Sequence, residues 1–343
     1  MHYPENRMKN HLLCCDWGTS SFRLQLMDLT TRECTGEVQS DTGISALFDD
    51  WKTVPPRPGL SREEFFGQVL QQHISRLETQ VSASLTDVPV MVSGMASSSI
   101  GMAEVPYATL PFPTDGSQAS MQRFESRPAF RHDLFLISGV RSEQDVMRGE
   151  ETQLIGLMKL LESSGHGRQD VLCIFPGTHS KHLHIQDEKL VHFKTYMTGE
   201  LFDVMRRHSI LKDSVDYSAY ADLPDIAVEA FQEGVRQAAS SSILNTLFSV
   251  RTNQLFDKIS KEENAFYLSG LLIGTELNQL KSTNEGLLIL CGGSNLSVLY
   301  ELAINELQLT HRTHTAPADL VDRAASMGQL LLFQQQLVKQ PTE

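Results

Sequence analysis

Apolar and polar positions along the chain follow two periods, and the switches between them mark out its elements. Near the start, "HLLCC" (11–15) and "FRLQLMDL" (22–29) flank a Gly-Thr-Ser-Ser stretch and read as a strand pair across a tight turn. "ECTGEVQS" (33–40) adds a third strand. Over 61–79 the period lengthens to that of a helix, placing Phe65, Phe66, Val69, Leu70, Ile74 and Leu77 on one face. Ser61 and Glu64 form a capping-box pattern at its start. "VPVMVSGM" (88–95) and "DLFLISGV" (133–140) are short strands that run into a glycine, and 150–162 predicts a helix. "VLCIFPG" (171–177) is another strand, followed by a hairpin over 182–197. Helical periods return at 226–250, 264–280 and 318–338, with a strand and turn at "GLLILCGGSN" (286–295) between the last two. Strands mixed with helices throughout predict an α/β protein.

The stretches 54–59 and 113–130 read as loops inside the first half, while the small and polar residues of 162–170 mark a boundary. The expected division is 1–165, 166–317 and a final helical segment 318–343 that returns to the first lobe.

A second pattern lies across that boundary. "CDWGTSSFRLQLMD" (15–28) can be set over "FPGTHSKHLHIQD" (175–187), with Gly18-Thr19 on Gly177-Thr178, Ser21 on Ser180, Leu24 on Leu183 and Asp28 on Asp187. The separation is 159 residues throughout. Both copies read strand, small-residue turn, strand, which suggests duplication. Backbone N–H groups of a Gly-Thr turn converge on anionic oxygens, and the hydroxyls of Thr19, Ser20, Thr178 and Ser180 add donors. The copies differ at Asp16, which this spacing sets against Phe175, so one side alone offers a carboxylate. One carboxylate beside a polyphosphate suits Mg²⁺, which keeps several waters and takes one or two protein oxygens.

Charge narrows the possibilities. The 343 residues carry 29 basic and 42 acidic side chains, a net charge of −13, against a general nucleic-acid surface. The five cysteines form no C-x-x-C pair, and four lie in or beside apolar runs, as reduced core thiols do. With a polar N-terminus and no apolar run of membrane-spanning length, the expectation is a cytoplasmic protein without membrane contact. Dinucleotide-fold, Walker, zincin and hydrolase-elbow motifs are all missing.

The segments "DWGTSSFRLQLMD" (16–28), "PGTHSKH" (176–182) and "LLILCGGSN" (287–295) resemble the two phosphate segments and the adenosine segment of the sugar kinase, actin and heat-shock chaperone superfamily. Within it, "DVMRGEETQLIGL" (145–157), "FPGTHSK" (175–181), "TYMTGELF" (195–202) and "LSGLLIGTEL" (268–277) resemble the 2-dehydro-3-deoxygalactonokinase family, in order and across nearly the whole chain. The resemblance implies a two-domain actin-like ATPase (ribonuclease H-like) fold with an inter-domain nucleotide cleft. It also implies ATP with Mg²⁺, and phosphorylation of 2-dehydro-3-deoxy-D-galactonate on its terminal hydroxyl. A same-fold kinase for another sugar or sugar acid, and a nucleotide switch with no small-molecule acceptor, are the alternatives. A homodimer is among the expectations.

The resemblance also distributes roles. Gly18, Thr19, Ser20, Ser21 and Arg23, with Gly177, Thr178, His179 and Lys181, are expected at the phosphates, and Asp16 at the metal. Gly292, Gly293 and Asn295 are expected at adenosine. Gly270 and Gly274, four apart, serve either close helix contact or nucleotide approach. Related kinases place a carboxylate between a glycine and a helix before the second phosphate turn. Glu150, after Gly149, matches that position with Glu in place of the usual Asp, and Asp145 is its competitor. Acidic residues at a helix start, here Glu150 and Glu151, also stabilise the helix dipole without further purpose. Arg148 could pair with a substrate carboxylate. The stretch 93–111 is the expected sugar-facing loop, with Gly94, Met95, Ser97, Ser98, Ser99, Glu104 and Tyr107. The family pattern there is Gly-Met-x-Gly-Ser-Arg-x-Gly-Trp. This chain departs at Ser97, Ser99 and Met102, and so lacks an arginine at the position of Ser99. The histidines 179, 182 and 184 have no zinc-site spacing and read as packed strand residues.

Overall fold

A computed structural model describes residues 10–53, 60–162, 170–217, 225–282 and 286–339. The expected loop at 54–59 and most of the expected boundary at 162–170 lie outside them. The chain divides into two compact units. The first takes in Met1–Arg168, Glu188–Val191 and Asp322–Glu343, and the second Gln169–Asp187 and His192–Val321.

The first unit begins with β1 (His11–Trp17), β2 (Phe22–Asp28), β3 (Cys34–Ser40), α1 (Ile44–Thr53), α2 (Arg62–Val81) and β4 (Val90–Gly94). It continues with β5 (Ala108–Thr109), β6 (Phe112–Pro113), β7 (Met121–Phe124), β8 (Leu134–Ile137), β9 (Val140–Arg141), β10 (Val146–Met147) and α3 (Glu150–Glu162). Its main sheet has the order β3-β2-β1-β4-β8-β7. The first three strands are antiparallel, and β4 and β8 join in parallel. The stretch 113–130, expected as loop, contains β7, which closes the sheet edge against β8. α2 starts on the expected capping box and lays Phe66, Leu70, His73, Ile74 and Leu77 on the sheet. His73, a polar residue on that face, stacks on Phe22 at 4.0 Å between ring centroids.

In the second unit β11 (Val171–Phe175), β12 (Ser180–Gln186) and β13 (Lys189–Tyr196) lead to α4 (Thr198–His208), α5 (Asp225–Ser240), α6 (Ile243–Leu255) and α7 (Lys261–Asn278). Then come β14 (Leu287–Leu290), α8 (Ser294–Glu306) and β15 (Thr313–Thr315), and α9 (Ala318–Lys339) re-enters the first unit. The strand order β15-β14-β11-β12-β13 repeats that of the first unit, again with an antiparallel trio extended by parallel strands. The first residues of β13, Lys189 and Leu190, cluster with the first unit, where they pair with β6. A five-strand order of this kind occurring twice is the two-domain α/β architecture of the actin-like ATPases.

Pairing corrects the spacing of the repeat. Leu24 stands opposite Cys15, but Leu183 stands opposite Cys173, so the separation is 159 residues beyond each turn and 158 before it. The counterpart of Asp16 is therefore Ile174, and that of Trp17 is Phe175. The asymmetry survives, since Ile174 is apolar and buried.

The helical stretch 226–250 is two helices, broken at 241–242, where Ser242 takes the N-cap position of α6. α5 and α7 pack backbone to backbone. A Cβ on Gly270 would lie 2.1 Å from the Phe231 carbonyl oxygen, one on Gly274 2.9 Å from Val235 Cα, and one on Gly234 2.3 Å from the Tyr267 carbonyl oxygen. Gly270 and Gly274 are buried between helices, which corrects their adenosine assignment in favour of the close-contact reading.

Candidate active site

In the first unit, strand ends and a helix start meet at Asp16. β1 and β4 run parallel, with Asp16 beside Ser93 and Trp17 beside Gly94. Gly94 has φ +88° and Gly149 has φ +105°, backbone conformations that favour glycine. Their approach is close, because a Cβ on Gly149 would lie 3.3 Å from Gly94 Cα and one on Gly94 3.4 Å from Asp16 Oδ1. Gly149 thus turns the chain so that α3 begins at Glu150, whose charge is felt at Asp16. α9 supports the floor: Gln329 donates to the Cys15 carbonyl at 2.7 Å and to Ser93 Oγ at 2.8 Å.

Three carboxylates share this corner. Burial pushes Asp16 up to about 6; Arg23, its cross-strand neighbour, opposes that rise, the Glu150 charge adds to it, and a Gln153 side-chain hydrogen bond again opposes it. Burial also pushes Glu151 up to about 7, with the Glu150 charge contributing. Glu151 is the inward member of the pair, accepting from the Gly149 N–H at 2.7 Å and from Thr152 Oγ1 at 2.8 Å. It holds the Gly149 turn, a role absent from the helix-dipole reading. Gln153 is likewise a site residue that sequence reasoning missed.

Glu151 makes a prediction for stability. Its folded pKa lies above the ordinary 4.5, so between pH 4.5 and about 7 the folded protein keeps a proton that the unfolded chain releases. The contribution of Glu151 to stability is therefore fullest below pH 4.5 and is lost as pH rises through about 7. Glu151→Gln removes this titration while keeping an oxygen for Gly149. Thermal melts should show the variant matching the parent near pH 4.5 and exceeding it at pH 8, by on the order of 3 kcal/mol.

The first turn is braced from behind. The Gly18 and Thr19 carbonyls accept from the N–H groups of Ile44 and Ser45 at the start of α1, at 3.0 and 3.1 Å. A Cβ on Gly43 would sit 2.3 Å from the Thr19 oxygen. Because the peptide is planar and trans, the N–H groups of Thr19 and Ser20 point away from α1. The side chains of Thr19, Ser20 and Ser21 are exposed. Below the turn, Trp17 is buried edge-on between Phe22 and Phe66.

The second turn has the same brace. The Thr178 carbonyl accepts from the Glu200 N–H at 3.0 Å, and a Cβ on Gly199 would meet the Gly177 oxygen at 2.7 Å. The Glu200 N–H belongs to the first turn of α4, so the Glu200 peptide presents its N–H to Thr178 as the Ser45 peptide does to Thr19. Nothing lies within 4 Å of a Cβ placed on Gly177. Thr178 and His179 are exposed, and the His179 ring contacts Glu200 at 2.5 Å. Lys181 departs from the expected phosphate contact, since its side chain is buried and its ammonium donates to the His179 carbonyl at 2.9 Å. It stiffens the turn from within. The braces have a sequence signal that the comparison of turns passed over: a Thr-Gly pair after the third strand of each copy, 42–43 and 198–199.

At the end of β14, Gly292 packs near Ser297 and Pro176, while Gly293 is exposed and caps α8 with open space around it. The Asn295 side chain lies outside the described residues.

The 93–111 loop is knitted by Arg148. Its guanidinium lies 3.9 Å from the Tyr107 ring centroid and donates to Tyr107 Oη, the Ser97 carbonyl and Oγ, and Ser138 Oγ, with a longer bond to the Val105 carbonyl. This corrects Arg148 from carboxylate partner to organiser of the loop. Ser97 and Ser98 are buried, with hydroxyls bonded to Gly94 and Met95 carbonyls, which corrects their expected contact with a ligand. Met102 is buried in the core and Met95 packs against it. Ser99 and Glu104 are exposed, and the Ser99 carbonyl accepts from Arg62. Asp145 sits in the turn between β9 and β10, where its carboxylate accepts from the Val146 N–H at 2.8 Å. The Glu150 charge reaches Asp16, while the Asp145 carboxylate is engaged in its own turn.

Among the described residues no cluster of three or more His, Cys, Asp or Glu could hold a metal, and no helix is long and apolar enough to cross a membrane. The Asp16 corner, with Glu150 beside it, still fits an ion that takes one or two carboxylates. The missing side chain of Gly94 keeps Asp16 Oδ1 clear, since a Cβ there would lie 3.4 Å away.

Comparison with known proteins follows the same lines. A model of the 2-keto-3-deoxy-galactonokinase family matches residues 16–327. The chain is 31% identical over 309 residues to a protein of Rhizobium meliloti (strain 1021) designated a probable 2-dehydro-3-deoxygalactonokinase, covering 87% of this chain and 90% of that one. It is 27% identical over 311 residues to the 2-dehydro-3-deoxygalactonokinase of Escherichia coli (strain K12), covering 88% and 91%. A crystal structure of a Sinorhizobium meliloti protein assigned to the same activity superposes with a TM-score of 0.72 at 29% identity, covering 97% of this chain and 98% of the other.

Proposed function

The chain belongs to the 2-keto-3-deoxy-galactonokinase family, and we propose that it transfers the γ-phosphoryl group of ATP to the terminal hydroxyl of 2-dehydro-3-deoxy-D-galactonate. The observation that carries the residue roles is the corner where Glu150 shares its surroundings with Asp16 beside the braced 18–21 turn.

The turns receive phosphate oxygens. Thr19 and Ser20 offer backbone N–H groups and hydroxyls, and the second turn offers exposed Thr178 beside Gly177, which has open space where a side chain would stand. Gly293, at the N-terminus of α8, gives the nucleoside open space where a side chain would stand. Asp16 would hold Mg²⁺, with Gln153 orienting the carboxylate. The ion, when bound, supplies positive charge against the phosphates. Glu150 accepts the hydroxyl proton. As the sugar oxygen bonds to the γ-phosphorus, the bond from that phosphorus to the bridging oxygen breaks and ADP leaves. Most of the rate comes from alignment and charge neutralisation, with the base contributing a smaller share.

Two of the three departures from the family pattern, Ser97 and Met102, are spent on packing, which supports retention of the family's substrate class. The test is ADP release by the purified protein across a panel of sugars and sugar acids. The dehydro-deoxy acid should give the highest kcat/KM, with the phosphate on its terminal oxygen by phosphorus NMR. A better sugar in the panel would overturn the substrate. ATP turnover that no acceptor stimulates would overturn the kinase reading.

A further inference from the structure

A line of buried hydrogen bonds leads from the second turn into the core of its unit. The Gly177 N–H donates to Ser180 Oγ at 3.3 Å, and Ser180 Oγ meets Tyr300 Oη at 2.7 Å. Tyr300 donates to Glu276 Oε2 at 2.8 Å. Thr198 donates to the same oxygen, and His182 Nε2 reaches Glu276 Oε1 at 3.0 Å. Ser180, His182, Glu276 and Tyr300 are each at most 3% exposed.

The direction of the line follows from proton counting. Three donors converge on Glu276, which accepts from all of them. Tyr300 has one proton, and burial followed by the Glu276 charge pushes its pKa far up, so the phenol stays protonated and donates to Glu276. The proton between Ser180 and Tyr300 must then come from Ser180. That leaves the Ser180 lone pairs to accept from Gly177. Thr198 reaches the other side of the turn, because it precedes Gly199, whose missing side chain lets α4 touch the Gly177 carbonyl. One carboxylate on α7 thus tethers the turn on both flanks. A buried carboxylate is costly, and apolar residues of similar volume often serve stability as well or better.

We propose that Glu276, Tyr300 and Ser180 are positioning residues for phosphoryl transfer, setting the Gly177–Thr178 backbone at the spacing that ATP phosphates require. The proposal rests on the reading of that turn as a phosphate site. The line acts as one unit, so cutting it at any link should have one effect.

The experiment is steady-state kinetics and thermal melting of the full chain. Tyr300→Phe should raise the KM for ATP about tenfold and leave the KM for the sugar acid within about twofold. Ser180→Ala should match it, Ser180→Thr should restore most of the loss, and the double variant should be no worse than either single one. A lowered melting temperature with the KM for ATP unchanged would mean that the network only holds the core, and the proposal falls. Additive effects in the double variant would also overturn it. Gly177→Val separates the premise, since a Cβ at that position has nothing within 4 Å beyond its chain neighbours. If Gly177→Val leaves the KM for ATP unchanged, the turn is not a phosphate site and both readings fail. If it raises that KM while Tyr300→Phe does not, only the positioning proposal fails.

Discussion

Glu150→Gln should lower kcat at least ~100-fold while the KM for ATP stays within about threefold. Glutamine keeps the shape and polarity of the first residue of α3, so Gly149 and the start of the helix should be undisturbed. What it loses is the ability to take a proton. The group is aimed by its chain position: Gly149 at φ +105° brings the helix start against Gly94, and the charges of Asp16 and Glu151 lie close enough to interact with it. Asp145→Asn is the matched control, because Asp145 serves a hairpin turn and its loss should change kcat less than about twofold. If the Glu150→Gln enzyme keeps more than about a tenth of the parent rate, Glu150 is removed from the chemistry. A large loss in the Asp145 variant alone would transfer the role.

Local pattern was enough for much of this. The capping box of α2, the strand-turn-strand repeat and the placement of Glu150 at a helix start are short-range signals written in consecutive residues, and they read correctly. The errors arise where the answer depends on what packs against a residue from far along the chain. Gly270 and Gly274 carry the same letters whether they face a nucleotide or α5, and only the approach of Phe231 and Val235 decides. Arg148 resembles a carboxylate binder until Ser97, Tyr107 and Ser138 are brought around it. Lys181 beside an exposed turn invites a phosphate role, but the start of β12 is buried on both faces and its ammonium bonds back to the turn. Constant letter spacing also hid the one-residue offset before the second turn, since a hairpin absorbs a single-residue change in its loop without altering either strand's pattern. Glu276 carries no local signal: it is one of three glutamates on α7, set apart from Glu262 and Glu263 in the apolar part of the helix, and its partners are 24 to 94 residues away.

Asp16→Asn should cost at least ~1000-fold in kcat/KM, about 4 kcal/mol of transition-state stabilisation. The carboxylate must be ionised to bind a cation, and burial opposes ionisation by holding its pKa near 6. The parent's kcat/KM should accordingly fall as pH drops through about 6, one proton at a time, as Asp16 becomes protonated. The same shift has a consequence for stability of opposite benefit. Folding raises this pKa from 3.8, so ionised Asp16 destabilises the native state, and stability is lost as pH rises through 6. Asparagine removes that penalty and still pairs with Gln153. The variant should therefore melt at a higher temperature than the parent at pH 8 while being nearly inactive there. This is the signature of a charge kept against the interest of the fold. A variant that is inactive because it is unfolded would show the reverse melt, and one that is stable and active would take Asp16 out of the metal role altogether.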